Sequence, residues 1–237
     1  PWCDAVPSLV HGADERACQA YFAELKRFHL EHYHGIQPVA SDIPFCGGLL
    51  GYLGYDLGKG LHSIQSPAQS SSFPAVQLCA YDWCVIQDHL LQRATLVTQP
   101  RVGRAQRQDL LARLRQPVKR GAAGFTLTSS FASSLSTEQY REAFEQIQAY
   151  IQAGDCYQVN LTQCFSASYS GDPWHAYRAL RAVAAAPFAA YLTLAEEATL
   201  LCLSPERFLS LHGHHVETSP IKGTRVRHSD PQQDAQA

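Results

Sequence analysis

Methionine is absent from all 237 residues, position 1 included. A natural chain needs an initiator, so residue 1 is not expected to be the start of the gene product. The polar tail from Ser229 to Ala237 gives the same impression at the other end. No Cys-x-x-Cys pair occurs among Cys3, Cys18, Cys46, Cys79, Cys84, Cys156, Cys164 and Cys202, which argues against a zinc ribbon or a thioredoxin-like site. No apolar run is long enough to span a bilayer. The first residues, Pro-Trp-Cys-Asp-Ala-Val, lack the basic start and apolar middle of a signal peptide. No long basic run exists and the formal net charge is -2, so a nucleic-acid footprint is missing. Free cysteines in apolar runs such as Leu201-Cys202-Leu203 pack as small hydrophobes, and a reducing cytosol suits them.

What is present is apolar material, 46% of the residues, enough to bury a core of ordinary globular size. Ala17, Tyr21, Leu25, Phe28 and His32 fall at helical spacing, predicting a helix over 14–34 with Gly35 as its stop. Residues 44–58 are rich in glycine and apolar side chains, which predicts a strand against which other backbone packs closely. Residues 60–74 read as a surface loop. Residues 75–98 read as two strands, one running from Val76 through Trp83 into Ile86, with a turn near Asp88-His89. Arg and Leu alternate at helical spacing over 104–116, and the Pro/Lys/Arg/Gly stretch 117–124 is the best internal boundary.

The clearest helix is 137–153. Ser136 is its N-cap, Gln139 completes a capping box, and Leu135 with Tyr140 form a hydrophobic staple. Tyr140, Phe144, Ile147 and Ile151 make its apolar stripe, and Gly154 ends it. Beyond it the pattern predicts a strand over 156–168, a helix over 174–184, and strands over 188–194 and 199–203. A hairpin follows, turning at His212-Gly213-His214 and leading directly into Pro220-Ile221-Lys222-Gly223-Thr224. Hairpin strands with scattered helices predict an α+β fold with mainly antiparallel sheet.

Lysine in the last segment could face a cleft, with Gly223 admitting a ligand to the backbone. As a nucleophile it must lose a proton held near pH 10.4 in free lysine, about three units above neutrality. Taken alone, a turn lysine is more often a solvated surface residue. The glycines of 47–58 match neither the dinucleotide fingerprint nor the Walker pattern. Cys46 lacks a recognisable histidine partner and reads as core. His29, His32 and His34, and His212, His214 and His215, could bind metal incidentally, but no carboxylate or cysteine spacing completes either set. Glu206-Arg207 reads as a structural ion pair.

Several blocks in order resemble one family: Phe45 to Gly58, Tyr81-Asp82-Trp83, Gly154 to Gln163, Ala186-Pro187-Phe188, Leu203 to Phe208, and the Lys222 loop. Their order and spacing are similar to component I of aminodeoxychorismate synthase, within the chorismate-using superfamily that also holds anthranilate, isochorismate and salicylate synthases. The match runs from about residue 40 to the end. The resemblance implies the chorismate-binding α+β fold, two packed and mainly antiparallel sheets with outer helices. It implies an N-terminal portion over 1–120 and the first part of the chorismate-binding domain over 125–237. Anthranilate synthases usually carry alanine where Lys222 stands. By resemblance, Lys222 attacks C2 of chorismate as the C4 hydroxyl leaves, and ammonia then adds at C4 and expels the lysine.

Gln158 stands where isochorismate and salicylate synthases carry a water-activating lysine, and a neutral amide cannot be that base. Gly223 and Thr224 accompany Gln158 as implied substrate contacts. Pro187 and Phe188 resemble half of the family's tryptophan pocket, and a plain strand start is the competing reading. The resemblance also implies Mg²⁺, with ligands expected in C-terminal blocks absent here, and ammonia from a glutamine amidotransferase partner. An anthranilate synthase is one alternative. A non-catalytic module that retains only tryptophan or partner binding is another, and this chain by itself is expected to be inactive.

Overall fold

The structure, a computed structural model, describes residues 6, 9, 13–36, 43–62, 64, 73–117, 124–194, 198–221 and 230–236. The chain divides into two compact units, Pro1–Lys119 with Leu194–Ala198, and Arg120–Thr193 with Thr199–Ala237.

In the first unit Asp14 caps α1 (Glu15–Tyr33), its Oδ1 accepting the Ala17 amide at 2.8 Å. The expected helix is therefore present, but its buried face is Cys18, Tyr21 and Tyr33, with Ala17 exposed. The glycine-rich stretch forms β1 (Gly48–Leu53) and the short α2 (Leu57–Leu61). β1 pairs antiparallel with β2 (Val76–Tyr81) in the register Gly48 to Tyr81 and Leu53 to Val76. Leu9, Cys18, Tyr21, Leu57 and Val76 form one core cluster, and Val6, Tyr33 and Ala80 a second. Burying a side chain of valine or leucine size stabilises by about 1.5–3 kcal/mol.

The strand expected to run from Val76 into Ile86 breaks at Asp82. β3 (Trp83–Asp88) turns away from β2 and pairs with β4 (Arg93–Thr98) as a separate hairpin. The corner is held from elsewhere in the chain. The Asp82 carboxylate accepts from the Arg101 guanidinium and, at 3.5 Å, from the Tyr33 hydroxyl. Arg101 also donates to the His32 carbonyl at 3.0 Å and lies over the Tyr33 ring at 4.8 Å. The Asp82 carbonyl accepts from the Gln99 amide at 2.7 Å. Gln99 is itself buried, and its side-chain amide donates to the Cys46 carbonyl. Gly47 next to that carbonyl has φ +113, and a Cβ there would press on Gln99 and on the Tyr81 carbonyl. α3 (Arg104–Leu114) follows and buries Leu110.

This unit predicts an alkaline limit to stability. Burial pushes the Tyr21 and Tyr52 phenols up, and burial followed by the Asp82 charge does the same for Tyr33. The unfolded phenols ionise first, so their contribution is complete below about pH 10 and is lost as pH rises toward the folded values. Melting temperature is expected to fall as pH rises above about 10, and less steeply in Tyr33→Phe. Equal slopes for the two proteins would contradict this account of Tyr33.

In the second unit β5 (Phe125–Leu127) pairs with β8 (Tyr169–Gly171), and β6 (Ala132–Ser133) with β7 (Phe165–Ser166). In chain order α4 (Thr137–Ala153) lies between β6 and β7, with the reciprocal Ser136–Gln139 capping box formed and Gly154 closing it at φ 82. α5 (Pro173–Ala184) is capped by Asp172, which accepts the Trp174 amide at 2.9 Å. Its Tyr177 is buried and stacks on Trp174 with centroids 5.5 Å apart, and Tyr191 meets both rings. Tyr191 belongs to β9 (Phe188–Thr193), which pairs with β10 (Thr199–Ser204). β11 (Ser210–His212) and β12 (His215–Glu217) make the expected hairpin around Gly213. The polar tail supplies α6 (Pro231–Gln236), where Asp230 accepts the Gln232 amide at 2.9 Å.

The α+β reading with antiparallel pairing holds for all six two-stranded sheets among the described residues. The strand expected over 156–168 is reduced to Phe165–Ser166. A strand needs a neighbour to receive its backbone groups, and in this stretch such pairing begins at Cys164, whose carbonyl accepts the Ser134 amide at 2.7 Å. Tyr157 upstream is 96% exposed.

Candidate active site

The segment that carries Lys222 follows β12 in sequence. Two contacts hold the end of β12 and the residue after it to the chain before β11. The Thr218 hydroxyl donates to the Phe208 carbonyl at 3.0 Å, and Arg207 Nη1 lies 3.4 Å from Glu217 Oε2. Lys222, Gly223 and Thr224 lie outside the described residues, as does the chain up to 229.

Arg207 does not make the ion pair expected with its neighbour Glu206. The backbone of Glu206 is engaged by Ser204, whose hydroxyl donates to the Glu206 carbonyl at 2.9 Å and accepts its amide at 3.3 Å. That turn sends Arg207 toward Glu217 on β12. The same guanidinium sits over the Phe188 ring, 5.2 Å from its centroid.

Phe188 opens β9 opposite Ser204 and is 37% exposed. Pro187 precedes it in an exposed turn. The structure thus brings Phe188 together with Arg207 and, through it, Glu217. Gln158 sits in the irregular stretch before β7, exposed, with its amide nitrogen 3.4 Å from Asn160 Oδ1.

Arg207 and Glu217 are the residues that sequence reasoning misses as a pair. The usable signal is the hairpin turning at Gly213, which folds β12 back toward Arg207.

His212 and His215 face each other across that turn and are exposed, as is His214. In α1, His32 stacks on Phe28 at 4.1 Å and its Nδ1 lies 2.9 Å from the Phe28 carbonyl, which is a packing role. Among the described residues no group of three or more His, Cys, Asp or Glu side chains converges as a metal site requires. These residues do not by themselves fit a magnesium ion, which needs several converging oxygen ligands.

The chain is 44% identical over 194 residues to aminodeoxychorismate synthase component 1 of Klebsiella aerogenes, a match covering 81% of this chain and 42% of that protein. The Escherichia coli protein of the same name is 43% identical, covering 82% of this chain and 42% of the relative. Anthranilate synthase component 1 of Streptomyces coelicolor is 30% identical, covering 88% of this chain and 44% of the relative. The chain therefore spans less than half the length of these relatives. Among solved structures, anthranilate synthase component I from Streptococcus pneumoniae superposes with a TM-score of 0.71 at 24% identity, covering 81% of this chain and 46% of that one. That likeness establishes the fold. The model of the chorismate binding enzyme family matches residues 8–237, and the chain belongs to that family.

Proposed function

We propose that this chain is part of a component I of aminodeoxychorismate synthase, which aminates chorismate at C4 to give 4-amino-4-deoxychorismate. The observation that carries this reading is the relatedness. Identity is 43–44% to the Klebsiella aerogenes and Escherichia coli proteins of that name and 30% to the Bacillus subtilis one, against 30–34% to anthranilate synthase component 1 of Streptomyces coelicolor and Thermus thermophilus. Lys222 supports the same choice, because its amine has the nucleophilicity the proposed route needs and the alanine usual in anthranilate synthases has none.

In the proposed route the Lys222 amine forms a bond to C2 of chorismate, both conjugated ring double bonds shift round the ring, and the C4 hydroxyl leaves as water with a proton from the amine. Ammonia then bonds to C4, both double bonds shift back, and the C2–N bond to Lys222 breaks as the lysine nitrogen regains a proton. A covalent intermediate divides one difficult substitution into two easier steps. Gln158, Gly223 and Thr224 are assigned to the substrate side of this site. Gln158 is neutral and cannot deprotonate water, which suits an amine nucleophile rather than hydroxide. Pro187 and Phe188 are assigned to one wall of a tryptophan pocket.

The ammonia comes from a glutamine amidotransferase partner, and the product leads to p-aminobenzoate and folate. Magnesium would offset the charge of the substrate carboxylates, and its ligands are assigned outside the described residues. The cytoplasm is the proposed location. In keeping with a reducing compartment, Cys18, Cys46, Cys79, Cys84, Cys156, Cys164 and Cys202 are free thiols. No described helix is long and apolar enough to cross a membrane.

The test is product analysis on the whole polypeptide that carries these residues, supplied with chorismate, Mg²⁺ and ammonia. Aminodeoxychorismate is the expected product. Anthranilate as the sole product would refute the proposal.

A further inference from the structure

We infer that Arg207 is a positioning residue that ties the β11–β12 hairpin, and with it the start of the Lys222 segment, to the first residue of β9. One guanidinium makes both contacts. Its carbon lies 5.2 Å from the Phe188 centroid, and Nη1 lies 3.4 Å from Glu217 Oε2. Arginine suits this task because its planar head can stack by its face and pair by its edge at once, which a lysine ammonium cannot do.

Neither contact is strong alone. The Arg207 and Glu217 side chains are 39% and 51% exposed, and an ion pair in that setting is largely screened. Both contacts start from the segment between β10 and β11, one reaching β9 and the other β12, and the Thr218 hydroxyl bond to the Phe208 carbonyl joins the same segment to the residue after β12. Arg207 and Phe208 are adjacent in sequence, as are Glu217 and Thr218, so the two ties clamp one crossing point from neighbouring positions.

The consequence is geometric. Lys222 lies five residues beyond Glu217, a reach of about 17 Å when extended. With Glu217 held, the last strand before Lys222 is anchored through Arg207 to Phe188. With Glu217 released, the hairpin end adds its own freedom to that reach. That this matters to catalysis rests on the proposed role of Lys222, whereas the tie itself does not.

The experiment uses the whole polypeptide and two readouts. Hydrogen exchange is followed in peptides covering 210–221 for wild type, Arg207→Met and Arg207→Lys. In Arg207→Met the amides near Glu217 and Thr218 are expected to exchange about tenfold faster, with α4 unchanged, because only a local opening is eased. Arg207→Lys, which keeps the charge without the stacking fork, is expected to fall between. Unchanged exchange in 210–221 would overturn the tie. Acceleration that extends equally to α4 would overturn it too, since it would report general destabilisation.

The second readout is turnover of chorismate with ammonia. Arg207→Met is expected to lower kcat about tenfold while KM stays within about twofold, with partial recovery in Arg207→Lys. An unchanged kcat would overturn the positioning role. If wild type makes no aminodeoxychorismate, the functional reading fails, and the exchange measurement still decides the tie.

Discussion

Lys222→Ala is expected to lower aminodeoxychorismate formation by a factor on the order of 10³ or more, the scale on which loss of a covalent nucleophile is felt. The physical reason is that ammonia alone must then displace a hydroxyl from the ring in one step. Alanine at this position is also the residue usual in anthranilate synthases. A residual activity that shifts toward anthranilate would therefore fit the same account. Binding of chorismate should survive better than turnover, because the lysine contributes mainly in the transition state. Steady-state kinetics on the whole polypeptide separate the two. An undiminished rate of aminodeoxychorismate formation would show that covalent catalysis is dispensable.

Gly51→Ala is expected to be the most damaging small substitution in the first unit. Gly51 lies in β1 opposite Leu78, and a Cβ there would collide with the Gln77 carbonyl and lie 2.9 Å from the Leu78 Cα. Both are backbone atoms of the paired strand and cannot swing aside. The strands must separate locally, and the cost is about 1–3 kcal/mol or more. The loss should appear as a lower urea midpoint at unchanged slope. Gly58→Ala is the internal control. It lies in α2 with nothing within 4 Å of a Cβ, so it should be neutral or stabilising by up to about 1 kcal/mol. Equal stabilities for the two variants would contradict the close approach of β1 and β2.

The crowding around Gly51 is legible in the amino-acid sequence, from the density of glycine over 47–54. Helices α1, α4 and α5 are legible as well, because their signals are local. Asp14 and Ser136 cap within three residues of their partners, and apolar periodicity follows each cap. The break at Asp82 is not legible, because Tyr81-Asp82-Trp83 continues an apolar strand pattern. What turns the chain there is Arg101, 19 residues on, together with Gln99 and Tyr33. The strand expected over 156–168 fails for a related reason. Alternation marks residues that could line a sheet but says nothing about whether a partner strand lies alongside.

The site is legible to a different degree. Lys222, Gln158, Pro187 and Phe188 stand out by resemblance, since local chemistry alone favours a solvated lysine and an ordinary strand start. Arg207 is visible as a charge, but its neighbour Glu206 is the nearer candidate partner in sequence. Only the hairpin at Gly213 brings Glu217 within 3.4 Å.

The most direct test of the central claim is to trap the intermediate. The whole polypeptide is incubated with chorismate and Mg²⁺ in the absence of ammonia, quenched, and digested for mass spectrometry. The account predicts a mass increase equal to chorismate less water on the peptide containing Lys222, and its disappearance when ammonia is added before the quench. Rapid aminodeoxychorismate formation with no adduct on Lys222, or with the adduct on another lysine, would contradict it.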